Sequence, residues 1–190
     1  MTTGSVSPRR ADTRRNHERI LAVAAESLAR SAELSFNAIA KQAEVGVGTV
    51  YRHFPTPEAL ILAVYQREVR HLVDVVPRLL AAHPPEVAFR VWTTDHLAHC
   101  MMTKRGLADA LRVETSVRGE LPASAYHAMV GAVSTLLKAN ADAGTVRDGL
   151  SPETVLRGLA GLLYLNPGED WREQTAALTD LLWCGMGKKP

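Results

Sequence analysis

Val45-Gly46-Val47-Gly48-Thr49-Val50-Tyr51-Arg52-His53-Phe54 is too short and too polar to serve only as core. Just upstream, Ser35-Phe36-Asn37-Ala38-Ile39-Ala40-Lys41-Gln42-Ala43 sets Phe36, Ile39, Ala40 and Ala43 at three-to-four spacing on one face of a short helix, with Ser35 as its N-cap. Two short helices joined by a few residues form the geometry that lays one helix across a phosphate backbone and the other into a major groove. The decapeptide therefore reads as the second helix of a DNA-binding helix-turn-helix.

Working outward, the chain of 190 residues is rich in alanine and leucine, with aromatics at only 5%. No run of alternating β-branched residues is long enough for a convincing strand, so the expected class is all-α. No run approaches the roughly 18 consecutive apolar residues of a membrane span. The N-terminus carries Arg9, Arg10, Arg14 and Arg15 without the apolar stretch of a signal peptide. A cytoplasmic protein with no membrane partner is expected. Cys100 and Cys184 lie in separate apolar helical segments and read as small buried residues in a reducing compartment. The net charge is +2; up to Phe54, eight basic residues face five acidic ones, which gives +3 there and −1 for the remainder. That asymmetry suits a nucleic-acid-facing head on a neutral body.

The punctuation predicts nine helices, three in a head and six in a body. Residues 1–11 read as a disordered tail, 12–55 as the helix-turn-helix domain and 56–190 as a ligand-binding and dimerisation domain. The first helix, from about Asp12 to Arg30, has the apolar stripe Ile20, Leu21, Ala24, Ala25 and Leu28 to cover the helix-turn-helix pair. Pro55-Thr56-Pro57-Glu58 opens a fourth helix, with a threonine cap, proline at the first helical position and an acidic first turn. Pro77 should kink or end it. In the body, helices are expected from Pro84-Pro85 to about Met102, Leu107 to Val113, Pro122 to Ala143, Ser151-Pro152 to Leu165, and Glu169 to Cys184.

With the segments placed, residues from about Asn16 to Val64 resemble the DNA-binding domain of the tetracycline-repressor (TetR) family of bacterial transcriptional regulators. The matching residues are Ile20-Leu21-x-x-Ala24, Ala38-Ile39-Ala40, Ala43-x-Val45, Gly48-Thr49-Val50-Tyr51-Arg52-His53-Phe54 and Glu58-Ala59-Leu60. The chain departs from the family's pattern at Glu44, where the turn usually holds glycine. It departs again at Gly46, where a serine usually caps the recognition helix, and at Pro57, where a phosphate-binding lysine is common. The resemblance implies that the start of the recognition helix meets base edges while Tyr51 and His53 reach phosphates. Val47 then offers a thymine methyl an apolar contact and Gly48 permits close backbone approach. Direct readout falls to Asn37, Thr49, Tyr51 and Arg52, and Arg52 either forks onto a guanine or pairs a phosphate. Ser35 caps its helix and can also present end-of-helix amides to a phosphate. Val45, Val50 and Phe54 read as core.

The body is less explicit. Trp92, His96, Cys100, Met101, Tyr126 and Met129 either line an apolar ligand pocket between helices or belong to plain core. His96 and His99 sit one turn apart, but no third ligand is evident, so neither metal nor cofactor is expected. Val155, Gly158, Leu159, Leu162, Leu178 and Leu182 suggest a homodimer built as an isologous four-helix bundle. Two heads about 34 Å apart then read a palindromic operator in double-stranded DNA. No nucleophile motif, phosphate-binding glycine loop or metal set points to an enzyme. The expectation is a repressor released by a small-molecule effector. The alternative is a dimeric regulator that has no such ligand or answers to a protein partner.

Overall fold

The computed structural model describes residues 8–30, 34–114, 123–166 and 168–187, and all regular structure among them is helical. The α-helical segments are α1 (Pro8–Arg30), α2 (Phe36–Gln42), α3 (Val47–His53), α4 (Pro57–Asp74), α5 (Val76–Ala82), α6 (Pro85–Val91), α7 (His99–Thr103), α8 (Arg105–Glu114), α9 (Ala123–Asp142), α10 (Pro152–Leu159) and α11 (Trp171–Met186).

 They group into nine rods among the described residues. α4 runs on into α5 across Val75, whose amide bonds the His71 carbonyl at 3.2 Å and whose carbonyl takes the Leu79 amide at 3.0 Å. α6 and α7 are joined by a π-helical stretch, Trp92–Ala98, and α10 tightens into a 3-10 turn, Ala160–Tyr164. No helix among the described residues is long and apolar enough to cross a membrane.

The chain forms two compact units, one from residues 1–66 and 104–119, the other from 67–103 and 120–190. Two points differ from the sequence reading. α1 begins at Pro8, inside the stretch expected to be tail, because proline suits the first helical position and lacks only an amide that would go unpaired there; residues 1–7 lie outside the described residues. α8, expected in the body, belongs to the first unit, where Leu107 and Ala110 join the buried cluster of Ile20, Leu21 and Leu28. An apolar stripe at three-residue spacing fits any complementary helix, and here its partner is α1. The expected helix start at Pro122 and the break at Pro167 fall outside the described residues.

Local chemistry explains the ends of the elements. Ser35 accepts the Ala38 amide through its hydroxyl at 3.4 Å, Thr56 that of Ala59 at 3.2 Å and Ser151 that of Thr154 at 3.1 Å. Between α2 and α3, Glu44 holds the left-handed conformation with φ of 52°, the only non-glycine residue among those described to do so. Its carboxylate takes a 2.9 Å ion pair from Arg19 of α1.

In the second unit, Asn140 of α9 is fully buried and ties three segments together. Its amide donates to the Pro85 carbonyl at 3.0 Å and the Leu136 carbonyl at 2.9 Å, and its side-chain oxygen accepts the Thr145 hydroxyl at 2.8 Å. Trp92, also fully buried, donates its indole N–H to the Leu72 carbonyl at 2.8 Å. Arg90 of α6 bonds Glu86 on its own helix and Asp180 on α11, and its guanidinium lies 5.4 Å from the Trp183 ring.

Replacing Asn140 by alanine should cost about 2 to 3 kcal/mol, because it strands the buried groups it serves; urea unfolding measures this, and a loss under about 0.5 kcal/mol would mean that the hub is dispensable. At the turn, the left-handed strain of a non-glycine residue, roughly 1–2 kcal/mol, exceeds an exposed ion pair worth about 0.2–1 kcal/mol. Glu44→Gly should therefore raise the thermal midpoint of the first unit and Glu44→Val lower it. A fall in the glycine variant would show that the Arg19 contact outweighs the backbone term.

Candidate nucleic-acid interface

The first unit buries one side of α3 and leaves the other bare. Val50 and Phe54 sit in the same buried cluster as Ile20 and Leu21 of α1, with Val45 packed partly against it. The residues between them must then face outward on a helical turn. Val47 is 39% exposed and Tyr51 54% exposed; Gly48 and Arg52 are exposed and Thr49 is half-buried. Ser35 and Asn37, at the start of α2, are exposed as well. Of the eight sequence-selected DNA residues, Ser35, Asn37, Val47, Gly48, Tyr51 and Arg52 are thus exposed, and Thr49 and His53 are half-buried.

The side chains are held, not merely displayed. The Tyr51 ring rests on the buried Phe36 ring with centroids 4.8 Å apart, so the phenol is buttressed at its base and presented at its tip. Arg52 donates its Nε–H to the Gly48 carbonyl one turn back at 3.2 Å, which tethers the side chain to its own helix. Gly46 caps α3 without a side-chain bond. A Cβ placed at Gly48 would meet nothing within 4 Å, so the glycine is not demanded by packing in the chain itself. That leaves open surface on the face a groove would meet.

Sequence reading missed His17. Its ring stacks on Phe54 at 5.0 Å and meets His53 edge-on at 5.4 Å, and Thr13, Arg14, His17 and His53 line an open concavity of about 310 Å³. Burial, then the charges of His17 and Arg52, hold the His53 imidazole below its ordinary value. Arg14 and His17 lie three apart on α1 and therefore share a face, which is the signal that was available.

The residues selected in the body separate. Trp92 and Met129 are buried, Trp92 with its N–H satisfied, while His96, Cys100, Met101 and Tyr126 are half-buried. None of the six lines the concavity at Thr13, Arg14, His17 and His53 or a second one, of about 180 Å³, between Ser134 and Pro152. The π-helical stretch does hold a fully buried Thr93 hydroxyl without a partner, next to Trp92. The rings of His96 and His99 turn to different neighbours, His71 at 6.1 Å and Trp171 at 6.3 Å. Among the described residues no group of three or more His, Cys, Asp or Glu side chains is placed to hold a metal. Cys184 is exposed and Cys100 half-buried, against the expectation that both are buried; apolar neighbours in sequence did not place them on an inner face.

The dimer residues also divide. Val155, Leu159 and Leu162 are already buried by their own chain. A Cβ at Gly158 would come within 2.9 Å of a Leu182 methyl, so that glycine serves the close approach of α10 and α11. These residues belong to the unit's own packing, because an apolar stripe is covered first by the nearest helix of its chain. Leu178 and Leu182 are half-buried, and the large apolar side chains that remain bare nearby are Tyr164, 91% exposed, and Leu181, 70% exposed.

Comparison with known families matches residues 20–64 to the bacterial regulatory proteins of the tetR family and residues 84–188 to the C-terminal domain of SbtR-like transcriptional regulators. A TetR transcriptional regulator from Streptomyces coelicolor is 35% identical, covers 92% of this chain and 99% of its own, and superposes with a TM-score of 0.75. A TetR transcription regulatory protein from Mycobacterium vanbaalenii is 33% identical over 95% of this chain and 100% of its own, with a TM-score of 0.74. FadR from Thermus thermophilus, a TetR-family transcriptional repressor in complex with lauroyl-CoA, is 26% identical over 92% and 96% of the two chains, with a TM-score of 0.61. No curated protein matches the chain. The exposed face of α3, the family matches along both parts of the chain and the solved relatives agree that the chain belongs to the TetR family of DNA-binding bacterial transcriptional regulators.

Proposed function

We propose that this regulator acts as a cytoplasmic homodimeric repressor that leaves a palindromic operator when a small molecule binds its C-terminal part. The observation that carries the DNA reading is the division of α3, with Val50 and Phe54 buried and Val47, Tyr51 and Arg52 outward. A single short helix reads too few base pairs for specificity, so two heads on successive major grooves are required. The bare Tyr164 and Leu181, with half-buried Leu178 and Leu182, supply an apolar face for a second copy.

Readout rests on few donors. Asn37, Thr49, Tyr51 and Arg52 offer hydrogen bonds, Val47 offers a thymine methyl its contact, and Gly48 allows close approach. Ser35, Tyr51 and His53 hold the backbone. Arg52 takes the guanine role in this reading, because its Nε–H bond to Gly48 uses one of the five guanidinium donors and the residue is exposed.

Effector control is supported by the unpartnered Thr93 hydroxyl in the π-helical stretch, since π-helical turns gather at functional sites and a buried hydroxyl without a partner is costly. Trp92, His96, Cys100, Met101, Tyr126 and Met129 surround that stretch in sequence or on α9 and remain the proposed lining. The lauroyl-CoA held by the Thermus relative makes a long acyl thioester the first class to try. Helix α4 runs from the first unit into the second and offers a covalent route for coupling, which in such systems is about 1–3 kcal/mol. The burial and satisfied N–H of Trp92 favour a second reading, a dimeric regulator without a small-molecule ligand.

Arg52→Ala should weaken binding by about 1–3 kcal/mol and relax preference at one base pair of each half-site; uniform weakening over all sequences, measured by anisotropy on a set of single-base operator variants, would sink the guanine assignment. Acyl-CoAs of graded length should raise the thermal midpoint and release DNA together. A broad metabolite panel that does neither would leave the ligand-free reading standing.

A further inference from the structure

The concavity between α1 and α3 carries chemistry of one sign. Among the described residues it is lined by one guanidinium, two imidazoles and one hydroxyl, from Arg14, His17, His53 and Thr13. The nearby Asp12 is engaged by Arg15 of the same helix. The two imidazoles are 5.4 Å apart, with His17 laid flat on Phe54 so that its position is set by packing. The charges felt at His53 are those of His17 on α1 and Arg52 on its own helix, and both oppose its protonation. Arg14 adds a guanidinium from α1 to the same hollow. Such a site is short of one negative charge.

We propose that this hollow seats one phosphate of the DNA backbone beside the groove that α3 enters, and that docking draws a proton onto the His17–His53 pair, so that operator affinity rises as pH falls. This rests on the DNA-binding reading and adds α1 to the interface. His17 has two jobs there. It stacks behind Phe54 at the end of the recognition helix, and it shares with His53 the charge that meets the phosphate.

The sign follows from the environment. In the free protein His53 lies below the ordinary value of about 6.5. A phosphate oxygen beside both rings favours the imidazolium form, so the pair titrates higher when bound than when free. Protons are then taken up on binding between the free and the bound values. Affinity should climb as pH falls through that window, by up to about tenfold per pH unit for each proton gained, and level off below the free value. Contacts made by Arg14 and Arg52 stay constant over the same range, because guanidinium does not titrate there.

The test is fluorescence anisotropy of a labelled duplex bearing the palindrome footprinted upstream of the protein's own gene, at fixed salt, from about pH 8 to pH 6. The native protein should bind about tenfold or more tighter at the acid end. His17→Phe keeps a ring against Phe54 and removes the charge, and should flatten the slope by half or more; His53→Gln should remove most of what is left. His83→Gln, at an exposed residue of the second unit, should keep the native slope. If His17→Phe does not fold, Arg14→Gln, at an exposed residue, should lower the salt dependence of binding by about one phosphate contact. NMR of the imidazole protons should show both rings titrating higher in the complex. Equal pH slopes in the native protein and in both histidine variants, with binding intact, would overturn the cradle and leave the DNA reading standing. Absence of sequence-selective binding at every pH would overturn the DNA reading itself. Inorganic phosphate that shifts both rings and displaces DNA beyond an equal ionic strength of chloride would assign the hollow to free phosphate, against a backbone contact.

Discussion

A seven-residue helix has no stability of its own in water, since nucleation costs more than so few hydrogen bonds return. Everything α3 does therefore depends on the burial of Val50 and Phe54 against the apolar stripe of α1. That contact fixes both the position and the rotation of α3. Once Val50 and Phe54 are inside, helical periodicity leaves Val47, Gly48, Tyr51 and Arg52 no place but outside. The same contact explains why α1 carries more than packing. Its stripe holds the helix from behind, while Arg14 and His17 reach round to the end of α3 and stand beside His53.

The second unit is organised by polar groups that are buried and satisfied. Asn140 ties α9 to the start of α6 and to Thr145, and Trp92 ties the π-helical stretch to α4 through Leu72. These bonds fix register in a core otherwise made of alanine, leucine and valine, whose shapes alone discriminate weakly. Thr93 is the exception, a hydroxyl inside the same stretch with no partner. A π-helical stretch with one unsatisfied hydroxyl beside a buried indole is where a bound molecule would supply the missing partner in the proposed reading. This is the physical basis of the effector proposal.

Much of the fold was legible because its signals are local. Ser35, Thr56 and Ser151 cap the helices they precede, and the left-handed Glu44 was foreshadowed by the glycine that relatives of this motif carry at that point. The inward residues of α3 read as core, and its outward ones were implied by the family resemblance. What was not legible is non-local. Nothing near Leu107 and Ala110 says that α8 packs on α1, and nothing near Trp92 announces a switch to π-helical bonding. His17 was passed over because its partners, His53 and Phe54, lie on another helix. Val155, Leu159 and Leu162 formed a stripe that looked outward, but a stripe does not tell whether the same chain or a second copy covers it, and here the chain covers it.

The central claim is that paired copies of α3 enter successive major grooves. Hydroxyl-radical footprinting of the DNA upstream of the gene tests it directly. The account predicts two protected patches on one face of the duplex, centred about one helical turn or a small multiple of it apart and related by a two-fold axis. Protection spread evenly along the duplex, or a single unpaired patch, would contradict it.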